Sequence, residues 1–124
     1  MFESYRQLKV WEKAIDLVVE RYRCSAVFPK SETCGLASQI RRAATSIPAN
    51  VAEGYGRGGR KEYVQFLPIA QGSLKELETY LIIAEKLNYG TSSQTEQLLS
   101  HSSEIGRMLT SLIRKLKSTL YPAP

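Results

Sequence analysis

The stretch that decides the fold is residues 67–84, which read LPIAQGSLKELETYLIIA. Its apolar side chains recur in steps of three and four residues, the spacing of a helix face that packs in a bundle. They are Leu67, Ala70, Leu74, Leu77, Leu81 and Ala84. The pattern extends in both directions and predicts a helix over about residues 60–89. Gly90 is its predicted C-cap, because glycine readily adopts the left-handed conformation that ends many helices.

Three further segments have helical periodicity, over about residues 8–27, 32–55 and 93–119. In the first segment, the stripe that we predict to be buried is Leu8, Trp11, Ile15, Val18 and Tyr22. Ser31 is a predicted N-cap of the second helix, and Ser93 with Glu96 forms a capping-box pattern for the fourth. No segment alternates like a strand. The predicted fold is therefore all-α, an up-and-down antiparallel four-helix bundle with short connections.

Special residues interrupt two of these helices. Pro48 lies in the second and Pro68 in the third, and proline kinks or breaks a helix because it lacks an N–H. The apolar pattern continues past both, so we predict kinks rather than breaks. Gly72 in the third helix, opposite alanines of the second, suggests a close approach of the two backbones, with a merely tolerated exposed glycine as the alternative.

Composition narrows the class of protein. A chain of 124 residues with 43% hydrophobic content fits a single domain, residues 1–124, with a core that needs no metal or disulfide. The two cysteines, the absence of a signal-peptide pattern and the absence of a long apolar run predict a cytoplasmic protein with reduced thiols and no membrane partner. The net charge of +5 is compatible with a polyanionic partner such as nucleic acid.

The third and fourth helices contain more apolar residues than one buried stripe requires. The additional residues are Phe66, Ile69, Ile82 and Ile83 on the third helix and Leu99, Met108, Ile113 and Leu120 on the fourth. Burial on two sides, as at an interface between copies of the chain, would explain them. The alternative is a thick core with scattered exposed apolar residues.

Residues 38–57, SQIRRAATSIPANVAEGYGR, and residues 61–81, KEYVQFLPIAQGSLKELETYL, resemble the four-helix-bundle proteins of bacterial 23S rRNA intervening sequences. These are also called the S23 ribosomal-protein-like family, and the resemblance extends over about residues 8–117. It implies a ring-like homopentamer of bundles without enzymatic activity. A related group, the accessory variability determinants of retroelements, binds a reverse transcriptase and nucleic acid through a basic surface.

Two basic segments are candidate nucleic-acid contacts. The first is the glycine-rich loop before the third helix, whose N-terminal N–H groups attract phosphate, and the second is the C-terminal half of the fourth helix. The candidate residues are Arg41, Arg57, Arg60, Lys61, Arg107, Arg114, Lys115 and Lys117. The alternative for the loop is a solvated hinge. The alternative for the fourth helix is a solvated face, whose cations interact favourably with the negative C-terminal end of the helix dipole. In a ring the contacts would repeat, and binding would depend strongly on salt.

The polar residues of the matched segments suggest structural ion pairs. Arg42 and Glu53 lie on the second helix, and Glu76 and Glu78 lie on the third. We predict that arginine and carboxylate pair between these helices and fix their register. A carboxylate metal site is the alternative, but the only histidine, His101, lacks the Glu-x-x-His context of metal-binding bundles.

We therefore predict a non-enzymatic, oligomeric interaction protein that binds RNA or an RNA-associated protein through basic surfaces. The alternative is a protein-binding scaffold that serves as an accessory subunit of a reverse transcriptase. No catalytic residue, cofactor, metal or small-molecule substrate is predicted. An enzyme would need a deep pocket that collects Glu53, Glu76 and His101.

Overall fold

The computed structural model describes residues 4–120, in which four long α-helices follow a short 3₁₀ turn. The helices are α1 (Lys9–Ser25), α2 (Leu36–Gly56), α3 (Arg60–Lys86) and α4 (Ser92–Leu120). A second 3₁₀ turn, Lys30–Glu32, lies between α1 and α2, and residues 4–120 contain no β-strand. The predicted all-α four-helix fold is confirmed.

Contacts along the helices show that neighbours run in opposite directions. In the middle of α2 and α3, the hydroxyls of Ser46 and Ser73 share a hydrogen bond of 2.8 Å. Near the end of α2 and the start of α3, the rings of Tyr55 and Tyr63 meet edge to face at 5.9 Å between centroids. The pairing of late residues of α2 with early residues of α3 is that of an antiparallel helical hairpin.

The helix α4 closes the bundle against α3 and α1. Lys13 Nζ of α1 lies 2.8 Å from Glu104 Oε1 of α4, and Glu20 Oε2 lies 3.1 Å from His101 Nδ1. Because Glu20 follows Lys13 while His101 precedes Glu104, α1 and α4 are also antiparallel. The hydrogen bond with Lys13 lowers the pKa of the Glu104 carboxyl group, and the hydrogen bond with Glu104 raises the pKa of the Lys13 amine.

The core contains the whole predicted stripe of α3, together with apolar side chains of the other three helices. The large apolar side chains with at most 1% exposure are Leu17, Ile40, Ile47, Val51, Leu67, Leu74, Leu77, Ile105 and Leu109. Burial of each such side chain contributes about 1.5–3 kcal/mol to folding. These residues come from all four helices, so one continuous core holds the bundle together.

The buried face of α1 differs from the predicted one. Val10, Ala14, Leu17, Arg21 and Ser25 face the core, whereas Trp11, Ile15 and Val18 are half-buried and Tyr22 is exposed. Of the predicted stripe, Leu8 is buried and Trp11 and Val18 pack against the core. The prediction was wrong for the rest of the stripe, because the most buried line includes a charged and a hydroxyl side chain. Apolar periodicity predicts a buried helix face only from its apolar residues, so it favours the neighbouring face, whose residues are all apolar or aromatic.

Both internal prolines are accommodated without a break. The helix α2 continues past the buried Pro48, and α3 continues past the exposed Pro68. Each proline removes one backbone hydrogen bond, but the stripes on both sides of it remain packed in the core. The prediction that neither proline breaks its helix is confirmed.

The predicted start of α2 is wrong by several residues. Ser31 lies inside the 3₁₀ turn Lys30–Glu32, and α2 begins only at Leu36, after Gly35. The chain therefore turns twice between α1 and α2, and Ser31 is not the N-cap.

The predicted end of α3 is also wrong. Asn88, with φ 61°, adopts the left-handed conformation that was predicted for Gly90. The Tyr89 N–H donates to the Ala84 carbonyl oxygen at 2.9 Å, and the Asn88 N–H donates to the Glu85 carbonyl oxygen at 2.9 Å. This pair of bonds is a Schellman motif, in which asparagine can replace glycine.

A capping box starts α4, but two residues earlier than predicted. Thr91 Oγ1 accepts from the Gln94 N–H, and Gln94 Oε1 accepts from the Thr91 N–H, both at 3.1 Å. The pattern Thr-x-x-Gln gives its own two backbone N–H groups the hydrogen bonds that the predicted pair Ser93 and Glu96 would have formed two residues later.

Close approach of α2 to α3 depends on Gly54 rather than on Gly72. A Cβ atom on Gly54 would lie 2.8 Å from Phe66 Cβ and 3.1 Å from Tyr63 Cδ1. A Cβ atom on Gly72 would meet nothing within 4 Å, and Gly72 is exposed. The prediction for Gly72 was wrong, and its alternative, a tolerated exposed glycine, describes the position.

These two glycines form a matched pair for mutation. We expect Gly54→Ala to lower the free energy of unfolding by about 1–3 kcal/mol, because the methyl group forces α2 away from α3. We expect Gly72→Ala to raise it by up to about 1 kcal/mol, through helix propensity alone. Urea denaturation followed by circular dichroism measures both, and equal effects of the two substitutions would contradict this account of the packing.

The Tyr63 hydroxyl is a polar group that the α2–α3 contact leaves without a hydrogen bond. Its oxygen is fully buried and has no partner within residues 4–120. Burial, and to a smaller degree the neighbouring Tyr55, raises the pKa of Tyr63 to about 12. The hydroxyl therefore opposes folding, and its ionisation opposes folding more strongly.

We expect Tyr63→Phe to raise the free energy of unfolding by about 1 kcal/mol, because it removes an unsatisfied buried hydroxyl. The raised pKa also means that Tyr63 ionises in the unfolded chain before it ionises in the folded chain. Wild-type stability should therefore fall more steeply than that of Tyr63→Phe as the pH rises above about 10. Urea titrations at neutral and alkaline pH test both points, and a less stable variant would show that the hydroxyl has a partner.

Candidate nucleic-acid interface

The topology determines which charged segments share an end of the bundle. Because the helices alternate in direction, α1 and α3 begin at the end where α2 and α4 finish. This end contains residues 4–12, 53–62 and 114–120, and we call these three segments the basic end. The two basic segments that are far apart in the sequence therefore lie at the same end of the molecule.

Charge is unevenly distributed between the basic end and the rest of the bundle. The basic end has eight cations and three carboxylates, whereas the rest of residues 4–120 has nine cations and eight carboxylates. The eight cations are Arg6, Lys9, Arg57, Arg60, Lys61, Arg114, Lys115 and Lys117. Nearly all the excess positive charge of the described chain is thus at one end, where it can attract a polyanion.

Most of the predicted contact residues at this end are available to a ligand. Of the predicted contact residues, those that are exposed and form no ion pair within residues 4–120 are Arg60, Lys61, Arg114, Lys115 and Lys117. Arg6 and Lys9 of the basic end are exposed and unpaired in the same sense. Arg57 is different, because its Nη2 lies 2.8 Å from Glu53 Oε1 and its guanidinium lies 5.1 Å from the centroid of the Phe66 ring. These contacts hold Arg57 against the bundle and partly neutralise it.

The N-terminus of α3 is a weaker phosphate site than the sequence predicts. Gly59 provides no side-chain cap, and the carboxylate of Glu62 folds back into the space beside it. An anionic group in the first turn already interacts favourably with the helix dipole. A phosphate would have to displace Glu62, so the exposed cations remain the better contacts.

Arg41 does not belong to the basic end. Its Nε donates to Ser25 Oγ at 2.8 Å, its Nη2 donates to the Tyr22 carbonyl oxygen at 3.2 Å, and its guanidinium lies 4.7 Å from the Tyr22 ring centroid. These contacts attach the first half of α2 to the C-terminal turn of α1. Arg41 therefore has a structural role at the opposite end of the bundle.

A groove between α3 and α4 continues from the basic end along the bundle. It has a volume of about 790 Å³, and Arg114 of the basic end lines it together with Arg107 and Lys75. The Arg107 Nη1 donates to Ser103 Oγ at 2.8 Å. The sequence analysis identified Arg107 but missed Lys75 and the groove, because small residues on both helices create the space.

The predicted ion pairs between α2 and α3 do not form. Arg42 and Glu76 are exposed and have no ion pair within the described residues, and Glu53 pairs with Arg57 of its own helix. Glu78 pairs with Lys75 at 3.1 Å and accepts from Ser102 Oγ of α4 at 2.5 Å. The prediction was wrong because Arg42 and Glu76 lie on outward faces.

The additional apolar residues of α3 and α4 differ in how deeply they are buried. On α4, Ile113 is buried and Met108 packs against the core, so the thick-core alternative describes this helix. On α3, Ile69, Ile82 and Ile83 are 41–51% exposed. The outer face of α3 is thus an apolar surface that the bundle itself does not cover, and Val19 and Tyr22 of α1 are exposed to a similar degree.

The side chains that an enzymatic site would need do not converge. Glu53 lies at the basic end, whereas His101 lies in the half of α4 remote from it and contacts Glu20. Residues 4–120 contain no group of three metal-ligating side chains that could hold an ion. None of the described helices is long and apolar enough to cross a membrane.

The fold and its charge distribution define a class, a four-helix-bundle protein with one basic end. The family model of the 23S rRNA-intervening sequence proteins matches residues 6–111, and the chain belongs to this family. The bundle is similar to the crystal structure, at 1.70 Å resolution, of a protein of unknown function from the S23 ribosomal protein family of Bacteroides thetaiotaomicron VPI-5482. The two are 27% identical with a TM-score of 0.78 over 85% of this chain and 95% of that one. No curated protein matches the chain.

Proposed function

We propose that the chain is a non-enzymatic interaction protein that binds RNA through its basic end. The observation that carries the proposal is the convergence of cations from three separate segments, the start of α1, the α2–α3 connection and the last turns of α4. Seven of these eight cations are exposed and without an ion pair in the described structure, and Arg57 is the exception. Membership of a family named after rRNA intervening sequences supports RNA as the polyanion.

Such a surface would contact the phosphate backbone rather than the bases. Lysine and arginine side chains neutralise phosphates and release counterions, which makes binding weaken steeply as salt increases. The aromatic ring of Tyr63 is buried, and that of Phe66 lies beneath Arg57, so neither is placed to stack on a base. We therefore expect little sequence preference, since sequence is read through base contacts.

The groove between α3 and α4 extends the proposed surface. Arg114 joins it to the basic end, and Arg107 and Lys75 continue the line of cations. One strand of RNA could follow this line from the end of the bundle along its side. The carboxylate of Glu78 limits the positive charge there, so the basic end is the principal contact.

We propose that several copies assemble into a ring, as the family resemblance implies for a homopentamer. The exposed outer face of α3, with Ile69, Ile82 and Ile83, supports an interface between copies. A ring would present one basic end per chain, so the modest binding free energies of the individual chains would combine into tighter binding of one RNA. The proposed place of action is the cytoplasm, where the free thiols of Cys24 and Cys34 would stay reduced.

The RNA proposal is tested by removing charge at the basic end. We expect the combined change Lys61→Gln, Arg114→Gln and Lys117→Gln to weaken binding of a labelled single-stranded or hairpin RNA by at least about tenfold at 50 mM salt. The slope of log K against log salt should become shallower by about 2, since three contacts are lost. Fluorescence anisotropy at several salt concentrations gives both quantities.

The matched control removes the same charge elsewhere, with Lys30→Gln, Arg42→Gln and Lys86→Gln, which are also exposed. We expect less than about a twofold effect, because these residues lie away from the basic end. An equal loss of affinity in the control variant would show that RNA binding depends on the net charge of the protein and not on the basic end. No binding by the wild type at low salt would favour the alternative, a scaffold for a protein such as a reverse transcriptase.

The assembly proposal is tested by light scattering. We expect the wild type to have about five times the 13.9 kDa mass of one chain at micromolar concentration. The pair Ile69→Glu and Ile83→Glu should give monomers, because charges would be buried at the interface. Val27→Glu, at a residue 78% exposed in the α1–α2 connection, is the control and should leave the mass unchanged. A monomeric wild type would contradict the proposal.

A further inference from the structure

Arg21 is a buried cation without a salt bridge in the described part of the chain. Its side chain, on the core-facing side of α1, is 2% exposed. The Nε atom is fully enclosed and has no hydrogen-bond partner within residues 4–120. Among the described residues, the guanidinium forms one hydrogen bond, from Nη2 to Cys24 Sγ at 3.7 Å, and the thiol sulfur is a weak acceptor. No carboxylate of the described chain forms a salt bridge with it.

Such an arrangement is unfavourable for the folded chain by itself. A guanidinium has five N–H donors and keeps its charge in proteins, and its burial requires acceptors or an opposite charge. Desolvation accordingly lowers the pKa of Arg21, the direction that marks an insufficiently compensated cation. An apolar side chain at this position would make the folded chain more stable, so packing alone does not explain the presence of an arginine.

Arg21 lines a cleft where the C-terminal part of α1 meets the first turns of α4. The cleft has a volume of about 180 Å³, several times the roughly 30 Å³ of one water molecule in the liquid. Arg23 and Cys24 of α1 and Gln94 and Gln97 of α4 also line it. The positive end of the α4 dipole lies near the cleft, because α4 begins at Ser92, and the negative end of the α1 dipole lies there as well, because α1 ends at Ser25.

One carboxylate shares the cleft. Glu20 also lines it, and Glu20 Oε2 lies 3.1 Å from His101 Nδ1 of α4. Its side chain is 40% exposed, so water screens its charge, whereas Arg21 is almost completely enclosed. Glu20 therefore weakens the positive potential of the cleft without giving Arg21 a hydrogen-bonded partner.

We propose that this cleft binds a phosphate group, with the Arg21 guanidinium as the principal donor. A guanidinium fork matches two oxygens of a tetrahedral oxyanion, and its hydrogen bonds to an anion are among the stronger ones in proteins. Arg23 adds charge at the rim, and the side-chain amides of Gln94 and Gln97 supply further N–H donors. The site lies at the opposite end of the bundle from the basic end and does not depend on RNA binding there.

The first experiment measures thermal unfolding of the whole chain in increasing inorganic phosphate, with chloride added to keep the ionic strength constant. A ligand that binds only the folded state stabilises it in proportion to the logarithm of its concentration once the site is mostly filled. We expect the Tm of the wild type to rise by a few degrees for each tenfold increase in phosphate. A Tm that is independent of phosphate would overturn the proposal.

The variant Arg21→Met keeps an unbranched, flexible apolar side chain similar to the aliphatic part of arginine and removes the guanidinium with its charge. We expect it to be at least as stable as the wild type without phosphate and to lose the dependence of Tm on phosphate. Arg42→Met, at an exposed arginine without an ion pair, is the control and should keep the wild-type dependence. An equal rise in Tm for Arg21→Met would place the phosphate elsewhere and overturn the proposal.

A second measurement keeps the test decisive if Arg21→Met fails to fold. In nitrogen-15 NMR spectra of the wild type, the Nε–H signal of the most enclosed arginine should shift on addition of phosphate and not on addition of chloride. No shift, or the same shift with chloride, would overturn the proposal and leave water or a carboxylate of another copy as the partner of Arg21.

The same signal distinguishes two sources of phosphate. A short RNA with a 5′-phosphate and the same RNA with a 5′-hydroxyl are compared with inorganic phosphate. A shift at lower concentration with the 5′-phosphate RNA than with inorganic phosphate, and none with the 5′-hydroxyl RNA, would support a nucleic-acid terminus as the ligand. A shift with inorganic phosphate alone would support the free anion, and a shift with neither would contradict the site.

Discussion

The packing of α3 against α2 is the contact on which the rest of the bundle depends. The stripe of residues 67–84 is buried there, and Gly54 lets the two backbones come close enough for Tyr63 and Phe66 to pack directly on α2. The helices α1 and α4 then cover the two sides of this pair, and the short connections determine their directions. The uneven charge distribution also depends on this packing. Because neighbouring helices run in opposite directions, the start of α1, the α2–α3 connection and the end of α4 all lie at the basic end.

The fold could be predicted from the sequence because the stripes of α2, α3 and α4 are strongly periodic. The helix ends could not, because several local signals compete over a few residues. Asn88 replaced Gly90 as the left-handed residue after α3, and Thr91 with Gln94 formed the capping box instead of Ser93 with Glu96. Each alternative has suitable chemistry, so the local sequence alone does not choose between them.

The candidate interface could be predicted only in part. The individual cations were evident in the sequence, but their convergence required the directions of all four helices. The ion pairs of Arg42 and Glu76 were predicted from spacing alone, which does not reveal which face turns outward. Arg21 escaped notice for a different reason, since a charged residue in a buried line looks like an interruption of the apolar pattern. It became visible only when the structure showed the line Val10, Ala14, Leu17 and Arg21 facing the core.

The order of the helices also has a consequence for how the chain folds and opens. The pair of α2 and α3 is joined by a connection of only three residues, 57–59, so its closure costs little chain entropy. The contact between α1 and α4 joins the two ends of the chain, and its ion pairs, Lys13 with Glu104 and Glu20 with His101, are partly exposed to solvent. Exposed pairs of this kind add little stability. We expect the α2–α3 hairpin to be the slowest part to exchange its amide hydrogens, and the contact between α1 and α4 to form last and separate first.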